Sequence, residues 1–336
     1  MIRSLVIAPN PDLSTDGTAE NASDSADTLR RNLTQESLEE CFAEGLDMWI
    51  DIITPEDENE IHWIEGLLEL SPTVVSDLLR EDRRPTLLVY PGYLFLSLFE
   101  PYAQGNTLAS KEIHCILGEH FCVTVRNADA PALEGAYDRV AQNPDSWHRG
   151  VTFFLYLIAQ HIIDTYYPLL DRISNQLNEL EEKLLGDSDD KHAQKSVYRI
   201  KQHLIGLRQM IAPQREVLSN LIGEGRISSN GNVRDLFRHL YERLLGIYDV
   251  IDSQRDLTNN VLEIIANQQS RKMGEAVNRL TIISLVFLPF TFFVGLFDSN
   301  FFTIGQSVIL PINGLVISIV ITLLMLVSIV IMRTIF

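Results

Sequence analysis

The chain has 336 residues, 46% hydrophobic and 21% charged, with a formal net charge of −18 at pH 7. That length suits one large domain or two modest ones. The acidity disfavours nucleic acid, whose phosphates need Lys and Arg; it either concentrates cations near the protein or serves solubility alone.

The charge is unevenly spread. Residues 280–336 carry only Asp298 and Arg333, which cancel, so the net −18 sits on residues 1–279. The three cysteines are Cys41, Cys115 and Cys122. Residues 1–12 hold no long apolar signal segment, which predicts a reducing, cytoplasmic soluble part without structural disulfides.

Residues 1–150 read as a cytoplasmic α/β domain. Residues 1–8 form a strand candidate, and residues 9–26 (PNPDLSTDGTAENASDSA) a polar, flexible insertion. MWIDII at 48–53 reads as a buried strand. Thr54-Pro55-Glu56-Asp57 reads as a helix start: N-cap, proline at N1, acids in the first turn. Residues 87–98 read as one strand around Pro91-Gly92, and residues 113–117 and 121–125 as a hairpin about Gly118-Glu119.

From residue 151 the pattern turns helical. Residues 151–185 predict one helix, with heptad-like Ile173, Leu177, Leu180 and Leu184, broken by Gly186-Asp187-Ser188-Asp189. A second helix is expected over about 191–221, so residues 151–232 form a helical hairpin closed by the loop at 223–232. A stalk helix follows at 233–279, carrying Leu236, Leu240, Leu244, Ile247, Ile251, Val261, Ile264 and Ile265. With no proline before Pro289 it should continue into the next segment, giving about 60 residues or about 90 Å of helix.

Residues 280–297 (LTIISLVFLPFTFFVGLF) and 314–332 (GLVISIVITLLMLVSIVIM) contain no charge. Each is long enough to cross a hydrocarbon core of about 30 Å, which gives transmembrane helices at 280–298 and 314–333 and a short external loop at 299–313. Arg271, Lys272 and Arg279 precede the first span and Arg333 follows the second. The positive-inside rule then places both termini in the cytoplasm and the protein in the cytoplasmic (inner) membrane. Two spans enclose no pore alone, so a conduit needs a symmetric oligomer.

Thr281, Ser284, Thr291, Gly295 and Asp298 recur at helical spacing along the first span, and Leu288 fills the remaining step. Polar groups in a membrane turn from lipid toward partners or water. The stripe is therefore either a pore lining, with hydroxyl and carbonyl oxygens suited to hard or hydrated cations, or a helix-packing face. Val277 and Leu288 would be narrow apolar rings in the first case. Asp298 is the one acid in or between the spans. Repeated about an axis it forms a carboxylate ring at the outer mouth; alone, it is an interfacial cap, poorly placed against a C-terminal dipole.

These residues resemble the CorA family of divalent-cation transporters. The resemblance rests on Leu280-Thr281-Ile282-Ile283, Leu288-Pro289-Phe290-Thr291-Phe292, Gly295-Leu296-Phe297 and Asn300-Phe301. Upstream it rests on Trp49-Ile50-Asp51-Ile52 with Pro55, Arg83-Arg84-Pro85 with Tyr93-Leu94-Phe95, and Phe237-Arg238, Tyr241 and Arg255-Asp256. It implies a funnel-shaped homopentamer with the first span lining the pore and the second facing lipid. It implies a pore face of Val277, Leu280, Ser284, Leu288, Thr291 and Gly295, with Asp298 and Asn300 at the outer ring; it prefers Leu280 to Thr281 at the inner end.

The chain departs from that family twice. The family's Gly-Met-Asn signature is here Asp298-Ser299-Asn300, keeping only Asn300. Members with a changed signature include zinc transporters, so Zn2+ stands beside Mg2+, Co2+ and Ni2+ as a candidate. The family's acidic, cation-sensing stalk residue is here His239, three residues before Glu242. Imidazole suits Zn2+ better than Mg2+, which makes His239 and Glu242 a candidate regulatory metal site against the alternative of a solvated pair.

His114, Cys115, His120 and Cys122 could suggest zinc. Cys115 and Cys122, expected opposite one another across the hairpin, read instead as buried strand residues. No P-loop, glycine-rich nucleotide loop or HExxH motif occurs, and no enzyme is expected. The sequence therefore predicts a passive divalent-cation channel or transporter driven by the ion gradient and membrane potential. It has no resident cofactor; the cation is substrate and, at the stalk, regulator. The alternative is a non-conducting, membrane-anchored metal sensor or interaction protein.

Overall fold

Runs of Val, Ile, Leu and Phe build a single sheet in the computed structural model, which describes residues 1–8, 28–53, 58–80, 84–105, 107–185, 193–225, 231–298 and Leu323. Residues 9–26, the helix start at 54–57, the loop at 299–313 and the second span at 314–333 (Leu323 aside) lie outside these. Contacts divide the chain into two units, Met1–Val261 and Leu262–Phe336.

The strands are β1 (Ile2–Ala8), β2 (Thr28–Arg31), β3 (Met48–Ile53), β4 (Leu87–Val89), β5 (Leu94–Gln104), β6 (Thr107–Leu117) and β7 (Phe121–Arg126). They pair in the order β2-β1-β3-β7-β6-β5-β4. Only β3 and β7 run parallel; the other pairs are antiparallel.

The helices are α1 (Gln35–Ala43), α2 (Glu58–Leu68), α3 (Pro72–Leu78), α4 (Pro131–Gln142), α5 (Thr152–Asp164), α6 (Tyr166–Leu185), α7 (Ala193–Gly223) and α8 (Gly231–Asp298), with a 3-10 turn at Pro144–Arg149. Thr34 caps α1 by accepting from the Ser37 N–H. One face of the sheet (Val6, Ile50, Ile52, Phe95, Ile116, Val123, Val125) packs with α1, α2 and α3 through Leu38, Ile61, Ile64 and Val74. On the other face Trp49 stacks on Phe154 of α5 at 5.6 Å and meets Tyr137 of α4 edge-on at 5.3 Å.

Three expectations are corrected. Residues 87–98 form two strands, β4 and β5, because Pro91-Gly92 turns the chain and Tyr90 N–H bonds the Tyr93 carbonyl at 2.9 Å. Residues 151–185 form two helices: Thr165 N–H bonds the Ile162 carbonyl at 3.2 Å, tightening the last turn of α5, and Pro168 has no N–H to continue the ladder. In the β6–β7 register Cys115 faces Thr124 and Cys122 faces Leu117, so the two cysteines are diagonal, not opposed. The strand β2 and the helices α1, α3 and α4 are additions.

The buried positions of the long helices follow alternating steps of three and four. In α6 they are Tyr166, Leu170, Ile173, Leu177, Leu180 and Leu184; in α7 they include Val197, Ile200, Leu204, Leu207, Ile211, Gln214, Leu218 and Leu221. In α8 they are Val233, Phe237, Leu240, Leu244, Ile247, Ile251, Gln254, Thr258, Val261 and Ile265. This is a coiled-coil seam, edged by Arg208 donating to the Tyr248 hydroxyl at 2.6 Å and Lys201 donating to Asn259 at 3.3 Å. Gln214 fastens the seam to the sheet. Its amide accepts the Phe99 N–H at 3.3 Å and donates to the Phe99 carbonyl at 3.2 Å, beyond the point where β4 ends.

Candidate functional site

The candidate pore face lies on α8 beyond Val261, where nearly every described residue from 266 to 291 is exposed, on all sides of the helix. The sequence here is polar up to Arg279 and apolar after it. Val277 is 56% exposed, Leu280 63% and Leu288 72%, so the described residues leave these large apolar groups largely uncovered. Ser284, Thr281 and Thr291 are exposed as well.

The two threonines share one geometry. Thr281 Oγ1 donates to the Val277 carbonyl at 2.9 Å and Thr291 Oγ1 donates to the Phe287 carbonyl at 2.8 Å. Each hydroxyl proton is thereby committed to the helix's own backbone. The oxygen keeps its lone pairs outward, which suits a cation or the hydrogens of its water shell.

Gly295 and Asp298 lie within the helical backbone of α8, but their side-chain surroundings fall outside the described residues, as does Asn300 altogether. Among the described residues no helix is long and apolar enough to cross a membrane. Val286, Pro289, Phe290 and residues 292–298, whose side chains are not described, belong to the apolar segment at 280–297.

His239 and Glu242 are exposed on α8, off the buried seam. Among the described residues no group of three or more His, Cys, Asp or Glu could hold a metal ion, so this pair contributes at most two ligands from one chain. The hairpin residues separate. Buried His114 pairs through Nδ1 with Ser97 Oγ at 2.8 Å, whereas exposed His120 pairs with Asp47 at 2.9 Å. Burial pushes the Cys115 and Cys122 thiols up, which disfavours the thiolate a metal needs.

A charged cluster in the sheet escaped the sequence reading. Asp51 is fully buried and accepts from Thr124 Oγ1 at 2.6 Å, Arg3 Nε at 2.7 Å and Arg126 Nη2 at 3.1 Å. Glu134 of α4 bridges the same two arginines, with Arg3 Nη1 at 2.6 Å and Arg126 alongside. Burial works to raise the Glu134 carboxyl, but the arginine hydrogen bonds outweigh it and hold it below its ordinary value. Glu100, buried nearby, accepts the Ala132 N–H at 3.3 Å and is pushed up, chiefly by burial. The signal in the sequence was a lone Asp in the apolar run MWIDII and an Arg closing FCVTVR. The cluster ties β1, β3, β7 and α4 together.

A family model described as CorA-like Mg2+ transporter protein matches residues 48–336. YfjQ of Bacillus subtilis (strain 168) is 28% identical over 257 residues, covering 75% of this chain and 78% of that protein. The cobalt/magnesium transport protein CorA of Thermotoga maritima is 25% identical over 283 residues, covering 80% of this chain and 79% of that protein. The zinc transport protein ZntB of Yersinia enterocolitica is 33% identical over 148 residues, 41% of this chain and 44% of that protein. The complete structure of the CorA magnesium transporter from Methanocaldococcus jannaschii shares the fold, with a TM-score of 0.77 and 16% identity over 98% of this chain and 97% of that one. This chain belongs to the CorA-like Mg2+ transporter family.

Proposed function

We propose that the protein carries divalent cations across the cytoplasmic membrane as a homo-oligomer, a pentamer by the family resemblance. The spans are residues 280–298 and 314–333, and both termini are cytoplasmic. One observation carries this reading: Val277, Leu280, Ser284, Leu288 and Thr291 share one face of α8 by their spacing, and on that face, exposed like the rest of the helix here, the Thr291 hydroxyl gives its proton to the backbone and presents lone pairs. Large apolar groups so exposed require other copies or lipid to cover them. A helix polar on all sides, as at 266–279, is equally incomplete in one chain.

In this reading the cation moves down its electrochemical gradient. Val277, Leu280 and Leu288 form narrow apolar rings that gate by dewetting, and Ser284, Thr291 and the Gly295 backbone contact the hydrated ion. Asp298 and Asn300 form the outer ring, where carboxylates concentrate cations and repel anions. The Asp298-Ser299-Asn300 triplet, His239 beside Glu242, and the similarity to ZntB over 41% of this chain point to Zn2+; the family description and the similarity to the cobalt/magnesium protein over 80% of this chain point to Mg2+ or Co2+, and both cargoes stand.

Flux of Mg2+, Zn2+, Co2+ and Ni2+ into liposomes holding the full chain tests this. Entry of Zn2+ or Mg2+ is expected, reduced at least about tenfold by Asp298→Ala, the effect of losing a field that steers ions. Should no ion move and Asp298→Ala change nothing, the chain is a membrane-anchored sensor and not a conduit. Mg2+ flux without Zn2+ flux would remove the assignment of zinc.

A further inference from the structure

The membrane-proximal turns of α8 carry a basic face that the ion path does not use. Arg271, Lys272 and Arg279 are all exposed. With Arg271 at zero and 100° per residue, Lys272 lies at about 100° and Arg279 at about 80°. On the same wheel Val277, Leu280, Ser284, Leu288 and Thr291 lie between about 180° and about 260°. The cations therefore point away from the stripe that faces the ion.

The basic sector is continuous with an apolar one. Ile282 and Ile283 follow at about 20° and 120° on the wheel. Glu275, at about 40°, is the one acid in the sector. Three cations less one carboxylate leave two positive charges on this face, in a chain whose net charge is −18. Arg279 directly precedes the apolar segment, at headgroup depth, and a stem of methylenes lets such side chains reach the interface. Lys272 and Arg271 stand about 10 and 12 Å further down the helix, close to a Debye length of about 8 Å from the membrane surface.

We propose that Arg271, Lys272 and Arg279 bind the phosphate headgroups of anionic phospholipids in the cytoplasmic leaflet, one basic face per copy around the oligomer. This rests on the membrane reading given above. Charge and position together select the occupant: Arg279 directly precedes the apolar segment, and an anionic leaflet attracts each juxtamembrane Lys or Arg by about 1 kcal/mol. The lipid would hold the cytoplasmic end of the pore helix at a fixed depth.

The test uses the full chain reconstituted in vesicles of equal phosphatidylcholine and phosphatidylglycerol, then extracted gently and weighed intact with its retained lipids. Flotation with the vesicles and resistance to alkaline wash establish insertion separately. Wild type should retain phosphatidylglycerol in preference to phosphatidylcholine. The Arg271→Gln, Lys272→Gln, Arg279→Gln triple variant should stay inserted and lose that preference by at least about tenfold; Glu275→Gln should raise it by up to about fivefold. Insertion with the same lipid ratio in all three proteins overturns the proposal. So does a triple variant whose oligomer mass falls while its lipid ratio holds, since the face would then contact a second copy. A wild type that neither floats nor resists washing overturns the membrane reading itself.

Discussion

Asp51 takes hydrogen bonds from three side chains while buried from solvent. Replacing it by alanine leaves Arg126, itself 1% exposed, with Glu134 as its remaining carboxylate, so Asp51→Ala should cost at least about 2 kcal/mol in denaturation of the full chain. Two carboxyls in the same region should respond oppositely to pH. The Glu134 value is depressed in the fold, so its stabilisation is present above the ordinary carboxylate value and lost as pH falls through the depressed one. Glu134→Gln should flatten the acid limb of a plot of Tm against pH; an unchanged limb would contradict the pairing with Arg3 and Arg126. The Glu100 value is raised, so its cost appears as pH rises from the ordinary value through the raised one. Glu100→Gln should therefore raise Tm at neutral pH and leave it nearly unchanged in acid.

At the level of elements, α8 and its seam explain most of what the sequence made legible. Leu240, Leu244, Ile247 and Ile251 were readable as one face because apolar spacing announces it. Gln254 and Thr258 were not, since a polar residue interrupts an apolar pattern even when it is buried. They fit because Gln254 Nε2 donates to the Leu170 carbonyl at 3.1 Å and Thr258 Oγ1 to the Gln254 carbonyl at 2.7 Å. Leu244→Ala should cost about 2–5 kcal/mol as a core truncation, and Leu257→Ala, 43% exposed, less than about 0.5 kcal/mol. Equal losses would mean that the seam is misplaced. Short elements escaped for a different reason. The helix α4 buries Ala132, Leu133, Ala136, Tyr137 and Val140, but its alanines give little hydrophobic contrast. The strand β2 is largely exposed and forms only by pairing with β1.

For the whole molecule, the family and the α/β character of residues 1–150 were legible because long apolar segments and strand runs have strong signatures. The proposed pore face rests on a periodicity in the sequence; what the structure adds is the direction of its threonine hydroxyls, which no spacing reveals. The central claim is that this face of α8, and not its opposite, meets the moving ion. Single cysteines test it most directly, since Cys41, Cys115 and Cys122 are buried and burial pushes all three thiols up, leaving a quiet background. Zn2+ or Mg2+ flux is measured in liposomes before and after a charged, membrane-impermeant thiol reagent, with cysteine at Ser284, Leu288 or Ile283. Block at Ser284→Cys and Leu288→Cys with Ile283→Cys unaffected is the predicted result. Equal sensitivity at all three positions, or block at Ile283→Cys alone, would contradict it.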